Sequence, residues 1–191
     1  MAAAFVARFP YLFHVTEGTA LAGIREHGLR SAAWLIGHYG APLSLIEENR
    51  PAWTRVLEVE PPPVILRRQG MRESSLQSRL HPSITARDWR RFINDRVFFF
   101  ADEKKAIAFR NAEKARCQVL LVFETALLAG VGVEMTACPF NNGYIDRSPA
   151  DLRRLRHYAD YHPVTAWKPG ERVQEVAIPC GLPRGLSFEV R

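Results

Sequence analysis

The sequence predicts an α+β fold, and three observations carry that expectation. Tyr11 to Thr16 alternates residues at period two, aromatic and β-branched types among them, and then runs into apolar residues at helical spacing, a strand feeding a helix. Val97 to Phe100 reads as a buried strand by its unbroken apolar run, and Gln118 to Phe123 (QVLLVF) as a central strand. Arg172 to Ile178 alternates as a late strand closed by Pro179.

Taken in order, residues 1–10 read as a short arm leading into the first strand. Thr16 and Thr19 give a capping-type signal ahead of Ala20, Leu21, Ile24 and His27, and Gly28-Leu29 supplies the glycine and apolar contact that close such a helix. Ala32 onward predicts a helix ended by Gly37 or Gly40, and Pro42 to Glu48 another, broken at Arg50-Pro51. Trp53 to Glu58 reads as a helical continuation before the triple proline at 61–63, and Val64 to Leu66 as a short strand running into Arg67 and Arg68. Residues 69–83 read as a loop with a helical turn. Thr85 and Asp88 resemble a capping box opening a helix with Trp89, Phe92 and Ile93, which Asn94-Asp95 ends. Asp102 caps a helix from Glu103 to Ala115 with Ile107 and Phe109 inward. Glu124 to Ala129 predicts a helical turn and Val131 to Met135 a strand. Residues 136–172 read mostly as loop, with a turn at Asn141-Asn142-Gly143 and a helix over Pro149 to Tyr158 as an option. A loop of that length is more often functional than not. The tail LPRGLSFEVR supplies a last edge strand.

Length and composition suit one domain spanning 1–191 with a real core. No run approaches the roughly 18–20 apolar residues of a membrane span, and the first residues lack a signal-peptide pattern, so the expected location is cytoplasmic. Cys117, Cys138 and Cys180 are far apart and form no zinc-type spacing, so no metal is expected and the thiols read as buried and reduced. The net charge of +6 rests on 22 arginines against 4 lysines. That balance fits a nucleotide or nucleic-acid substrate, or merely an arginine-biased surface.

The chemistry-bearing candidates are few. Glu175 lies mid-strand between Val173 and Ala177 on one face, where a carboxylate must reach a cleft or be paired unless the strand is a wet edge. His14 is a hydrogen-bonded structural histidine or a catalyst, and Thr16 is most simply a cap. Arg67 and Arg68 read as a solvated basic face or a phosphate clamp. Phe98, Phe99 and Phe100 read as core, with one ring able to wall a flat-ligand pocket. No P-loop, GxGxxG, HExxH or GxSxG pattern occurs.

The order of these pieces resembles the ADP-ribosyltransferase fold. A strand with His14-x-Thr16, a helix ending in Gly28-Leu29 and a late strand from Glu175 to Pro179 are similar to the DarT-like group, toxins that ADP-ribosylate DNA. The chain also resembles an uncharacterised bacterial family of similar length, through Leu66 to Gln69, Asn94 to Phe99 and Pro139 to Gly143. The first resemblance implies a split of two small mixed or antiparallel sheets with NAD as substrate in the cleft between them. It implies that His14, Val15, Thr16 and Leu29 hold NAD, that one of Phe98, Phe99 and Phe100 stacks on the nicotinamide, and that Arg67 grips the pyrophosphate or assists at the acceptor, a part Arg68 or Arg72 would equally take. Glu175 then stabilises the oxocarbenium-like ribose, and the segment 136–172 selects a DNA or RNA acceptor, with an antitoxin or regulator as a further partner. The alternatives on this scaffold are an NAD glycohydrolase, an RNA 2′-phosphotransferase-like enzyme, and a non-catalytic nucleotide- or partner-binding module.

Overall fold

Strand β4 (Arg96–Phe100) lies fourth in a seven-stranded antiparallel sheet, and its two neighbours treat it very differently. The computed structural model describes residues 2–56, 64–141 and 155–191. Along the chain run α1 (Ala3–Arg8), β1 (Tyr11–Glu17), α2 (Leu21–His27), α3 (Ala32–Tyr39), α4 (Ser44–Glu47), β2 (Thr54–Arg55), β3 (Ile65–Leu66), α5 (Glu73–Gln77) and α6 (Ala86–Asn94). After β4 come α7 (Glu103–Asn111), β5 (Gln118–Glu124), α8 (Thr125–Gly130), β6 (Thr136–Cys138), β7 (His162–Pro163), β8 (Glu175–Pro179) and β9 (Glu189–Val190). The strand order is β7-β6-β8-β4-β1-β5-β9, and β2 with β3 forms a separate two-stranded ribbon. The α+β class with two sheets is therefore the architecture of the chain.

The large sheet has a seam. β1 pairs with β5 along its whole length, from Tyr11↔Glu124 to Glu17↔Gln118, and β4 pairs with β8 from Arg96↔Pro179 to Phe100↔Glu175. Between β1 and β4 the ladder holds only Phe13↔Phe100. One face carries Leu12, Phe99, Leu121, Phe123, Val176 and Ile178, closed by Phe5, Leu128 and the α2 residue Ile24. The opposite face carries Phe13, Val15, Phe100, Leu120 and Val122 under Ala106 of α7, and Cys138 and Ala177 under Trp89 of α6. Phe99 and Leu121 are fully buried, each worth roughly 1.5–3 kcal/mol of transfer free energy.

Several local signals act as their chemistry dictates. Thr85 accepts the Asp88 amide and Asp102 the Lys105 amide, capping α6 and α7. Ser31 caps α3 by accepting the Trp34 amide, and Gly40 closes that helix in the left-handed region. Gly28 closes α2 at φ 87°, and a Cβ there would lie 2.2 Å from the Leu182 carbonyl oxygen. The approach is tight because the Leu182 amide donates to the Leu29 carbonyl.

Other expectations are corrected. Residues 3–8 form a helix that buries Phe5 rather than an arm. Neither Thr16 nor Thr19 caps the next helix; Glu17 and Ala20 occupy the cap positions and no side chain bonds there. Thr54–Arg55 is a strand, not a helical continuation, because Ile65–Leu66 supplies its partner. The strand expected over 131–135 lies at Thr136–Cys138, where β8 pairs with it. The helix opened by Asp102 stops at Asn111. β5 sits next to the edge strand β9 rather than at the centre. The triple proline, Asn142-Gly143 and most of Pro149 to Tyr158 fall outside the described residues, and Tyr158–Asp160 is one 3₁₀ turn.

Candidate functional site

His14 stands in the seam. Its Nδ1 lies 2.8 Å from the Phe98 carbonyl oxygen, which can only accept, so Nδ1 carries the proton and donates. The bond spans β1 and β4 beside the Phe13↔Phe100 pair. Burial pushes the imidazole down to about 4, and the Arg67 charge adds to that against the pull of the Phe98 carbonyl. At neutral pH His14 is therefore an uncharged ring whose Nε2 lone pair can accept a hydrogen bond.

Arg67 reaches His14 electrostatically and is itself built in. Its Nη1 donates to Gln118 Oε1 at 2.9 Å, and its guanidinium carbon lies 3.9 Å from the Phe109 ring centroid and 4.9 Å from that of Trp53. Trp53 is fixed by donating from Nε1 to Glu113 Oε2 at 2.7 Å, while Arg116 lies on the same indole at 4.1 Å and pairs with buried Glu17. Arg68, which the sequence left in competition with Arg67, donates to Glu113 Oε1 at 2.7 Å, the carboxylate that also holds Trp53. Sequence reading named Arg67 but not its flanks. Trp53, a tryptophan just after Pro51 in a polar stretch, was the available signal, whereas Phe109 reads as ordinary core.

The backbone that carries Arg67 is braced by α4 and α6. Arg50 donates from Nε to the Arg67 carbonyl at 2.8 Å and from Nη1 to that of Leu45. Asn94 bonds the Ile46 carbonyl at 3.0 Å and exchanges hydrogen bonds with Gln69. Glu47, 6% exposed, accepts from Arg91 Nε at 2.7 Å and Arg87 Nε at 2.8 Å. Arg90, 3% exposed, pairs with Glu73 and donates to the Met71 carbonyl.

Glu175 opens β8 and is 6% exposed, on a strand third from the sheet edge. Its register partners are Phe100 on one side and Cys138 on the other. Burial pushes the Cys138 thiol up, and the Glu175 charge contributes to the same direction. Opposed residues of an antiparallel ladder share a face. Glu175 therefore shares the face of Phe100 and Phe13, whereas His14 packs on Phe99 at 5.6 Å on the other face. The Arg67 charge reaches His14, but its Gln118 and Phe109 partners lie on the Phe13 face, so Arg67 stands on the Glu175 side of the sheet and His14 on the other. On the Glu175 face, Lys105 of α7 bonds the neighbouring Gln174 at 2.6 Å, and Phe109, one turn along, carries Arg67.

The remaining expected residues are distributed through the core. Val15 is buried on the Phe13 face and Thr16 is half-buried on the His14 face. Phe98 joins the Trp89 cluster near Tyr161, Phe99 meets Phe123 edge-on at 5.6 Å, and Phe100 meets Phe109 at 5.1 Å. Leu29 lines a separate hollow of about 160 Å³ with Ile24, Phe123, Leu182 and Phe188. Among the described residues no group of three or more His, Cys, Asp or Glu side chains is placed to hold a metal ion, and no helix is long and apolar enough to cross a membrane.

Residues 10–187 match the model of a family of unknown function, DUF7002, and the chain belongs to that family. No curated protein and no solved structure matches it.

Proposed function

We propose that this member of the family is an NAD-consuming ADP-ribosyltransferase working at the seam between β1 and β4. The observation that carries the reading is His14: a neutral ring, its Nδ1–H committed to the Phe98 carbonyl, offering Nε2 to a hydroxyl donor where the β1–β4 ladder holds a single pair. Arg67, whose charge reaches the ring, presents a planar cation suited to a pyrophosphate. In the reaction the bond between ribose C1′ and the nicotinamide nitrogen breaks, and its electron pair leaves with the nicotinamide. A nucleophile on DNA or RNA then bonds to C1′ and gives up its proton. Glu175, approaching along the α7 face, stabilises the positive ribose, an interaction worth several kcal/mol where water is excluded.

The register of Glu175 favours a second reading. With His14 and Glu175 on opposite faces, the same seam would bind a nucleotide without consuming it. Nicotinamide release from NAD separates the two, measured for wild type and Glu175→Gln with and without single-stranded DNA and RNA. Release lost in Glu175→Gln supports the transferase. Calorimetric NAD binding without release supports the binding module, and neither signal overturns both.

A further inference from the structure

A second feature lies outside the seam. Helix α3 turns Ala32, Ala33, Leu35 and Ile36 inward against Ile46 and Leu66. Its other side carries Trp34 and His38, with Arg30 just before the helix, at positions i, i+4 and i+8 of one column. The Arg30 guanidinium carbon lies 4.8 Å from the Trp34 ring, and the His38 ring stacks on Trp34 at 4.5 Å with only 15° between planes. Arg30 is held flat by donating from Nε to the His27 carbonyl at 2.7 Å. Tyr39 meets His38 edge-on at 4.7 Å, and the His27 ring lies 5.3 Å from it.

Trp34 joins none of the buried apolar clusters among the described residues, and His38 is exposed at the end of the stack. Across residues 21–39 the basic side chains are Arg25 and Arg30, and Glu26 is the one carboxylate. The column also starts near the seam. Arg30 pairs through its backbone with Gly181, and a Cβ on Gly181 would lie 2.9 Å from Val97 Cγ2 of β4.

We propose that this column is a stacking platform for a single-stranded nucleic acid, whose base extends the Arg30-Trp34-His38 stack at the His38 end. Exposed π faces bind unpaired bases, which a duplex hides, and adjacent arginines meet the phosphates. The platform goes beyond the transferase reading and rests on it only for what happens to the bound strand.

The test is fluorescence anisotropy, without NAD, using labelled oligothymidine and oligouridine of roughly ten nucleotides, the matching duplex, and heparin as a polyanion without bases. Wild type binds the single strands in preference to the duplex. Trp34→Leu and the surface variant His38→Ala each weaken single-strand binding about tenfold and leave heparin binding unchanged, while Trp34→Phe retains the strand. The oligothymidine and oligouridine arms tell DNA from RNA. Strand binding is read without NAD and nicotinamide release with it, so a failed transferase and a failed platform give different results. Equal binding of duplex and single strand, a parallel loss of heparin, or no effect of either substitution overturns the proposal. Absence of any oligonucleotide binding overturns it too and leaves the column to a protein partner.

Discussion

Two arginine clusters on either side of Arg50 answer their charge in opposite ways. Around Glu47 one buried carboxylate accepts from Arg91 and Arg87, and these bonds, Arg91 first, hold its carboxyl below the usual range. Around Arg67 the guanidinium lies against Phe109 and Trp53 and bonds a neutral amide; among the described residues it makes no ion pair. Burial lowers its proton affinity, with Glu113 pulling the other way. In the first cluster both arginines are held by one buried carboxylate, and the group serves as a brace. The second keeps a charge that an anionic ligand can claim. Arg50 ties them, since it holds the Leu45 carbonyl beside the brace and the Arg67 carbonyl at the site.

Breaking the brace has the largest expected effect. Glu47→Ala leaves Arg87 and Arg91 without their carboxylate, and the thermal midpoint followed by circular dichroism drops by several degrees. An unchanged melt would mean that α4 and α6 are held by packing alone. Arg67→Ala moves the melt less and instead lowers nicotinamide release about a hundredfold; Arg67→Lys fails to restore it, because an ammonium does not lie flat against rings. Release at the wild-type rate in both variants would remove Arg67 from the site.

His14 supplies a pH effect of intermediate size. Its folded value near 4 lies below the ordinary 6.5, so the unfolded chain binds the proton first. The contribution is complete above about 6.5 and is lost as pH falls toward about 4. Denaturant titrations across that window should lose roughly 2 kcal/mol in wild type, and His14→Gln should flatten the slope. The smallest expected change is Trp53→Leu, which removes a ring under two guanidinium groups and costs about 0.5–1 kcal/mol in the same titration, with a weaker grip on NAD in calorimetry.

Features set by neighbouring residues were legible in the chain. Thr85, Asp102, Gly28 and Gly40 punctuate helices through bonds made within a turn, and the sequence shows them directly. Features set by distant partners were not. Nothing in the Trp53–Arg55 segment announces that Ile65–Leu66 will pair with it, nor in Thr136–Cys138 that β8 will choose that stretch over Val131–Met135. The same limit governs the site. His14 and Arg67 could be named as residue types, but the seat of Arg67 depends on the β2–β3 ribbon and on Arg50. The face taken by Glu175 depends on a register with Phe100 that only the assembled sheet defines.

The single Phe13↔Phe100 rung also bears on how the chain reaches its native state. Each half of the sheet closes over a long loop, β1 finding β5 and β4 finding β8, and each then repays its closure entropy along a continuous ladder. The junction between the halves has one rung and one histidine bond, and is otherwise held by side chains such as Leu12 with Phe99 and Phe13 with Phe100 in shared cores. In native-state hydrogen exchange this line is expected to open ahead of the β1–β5 and β4–β8 ladders.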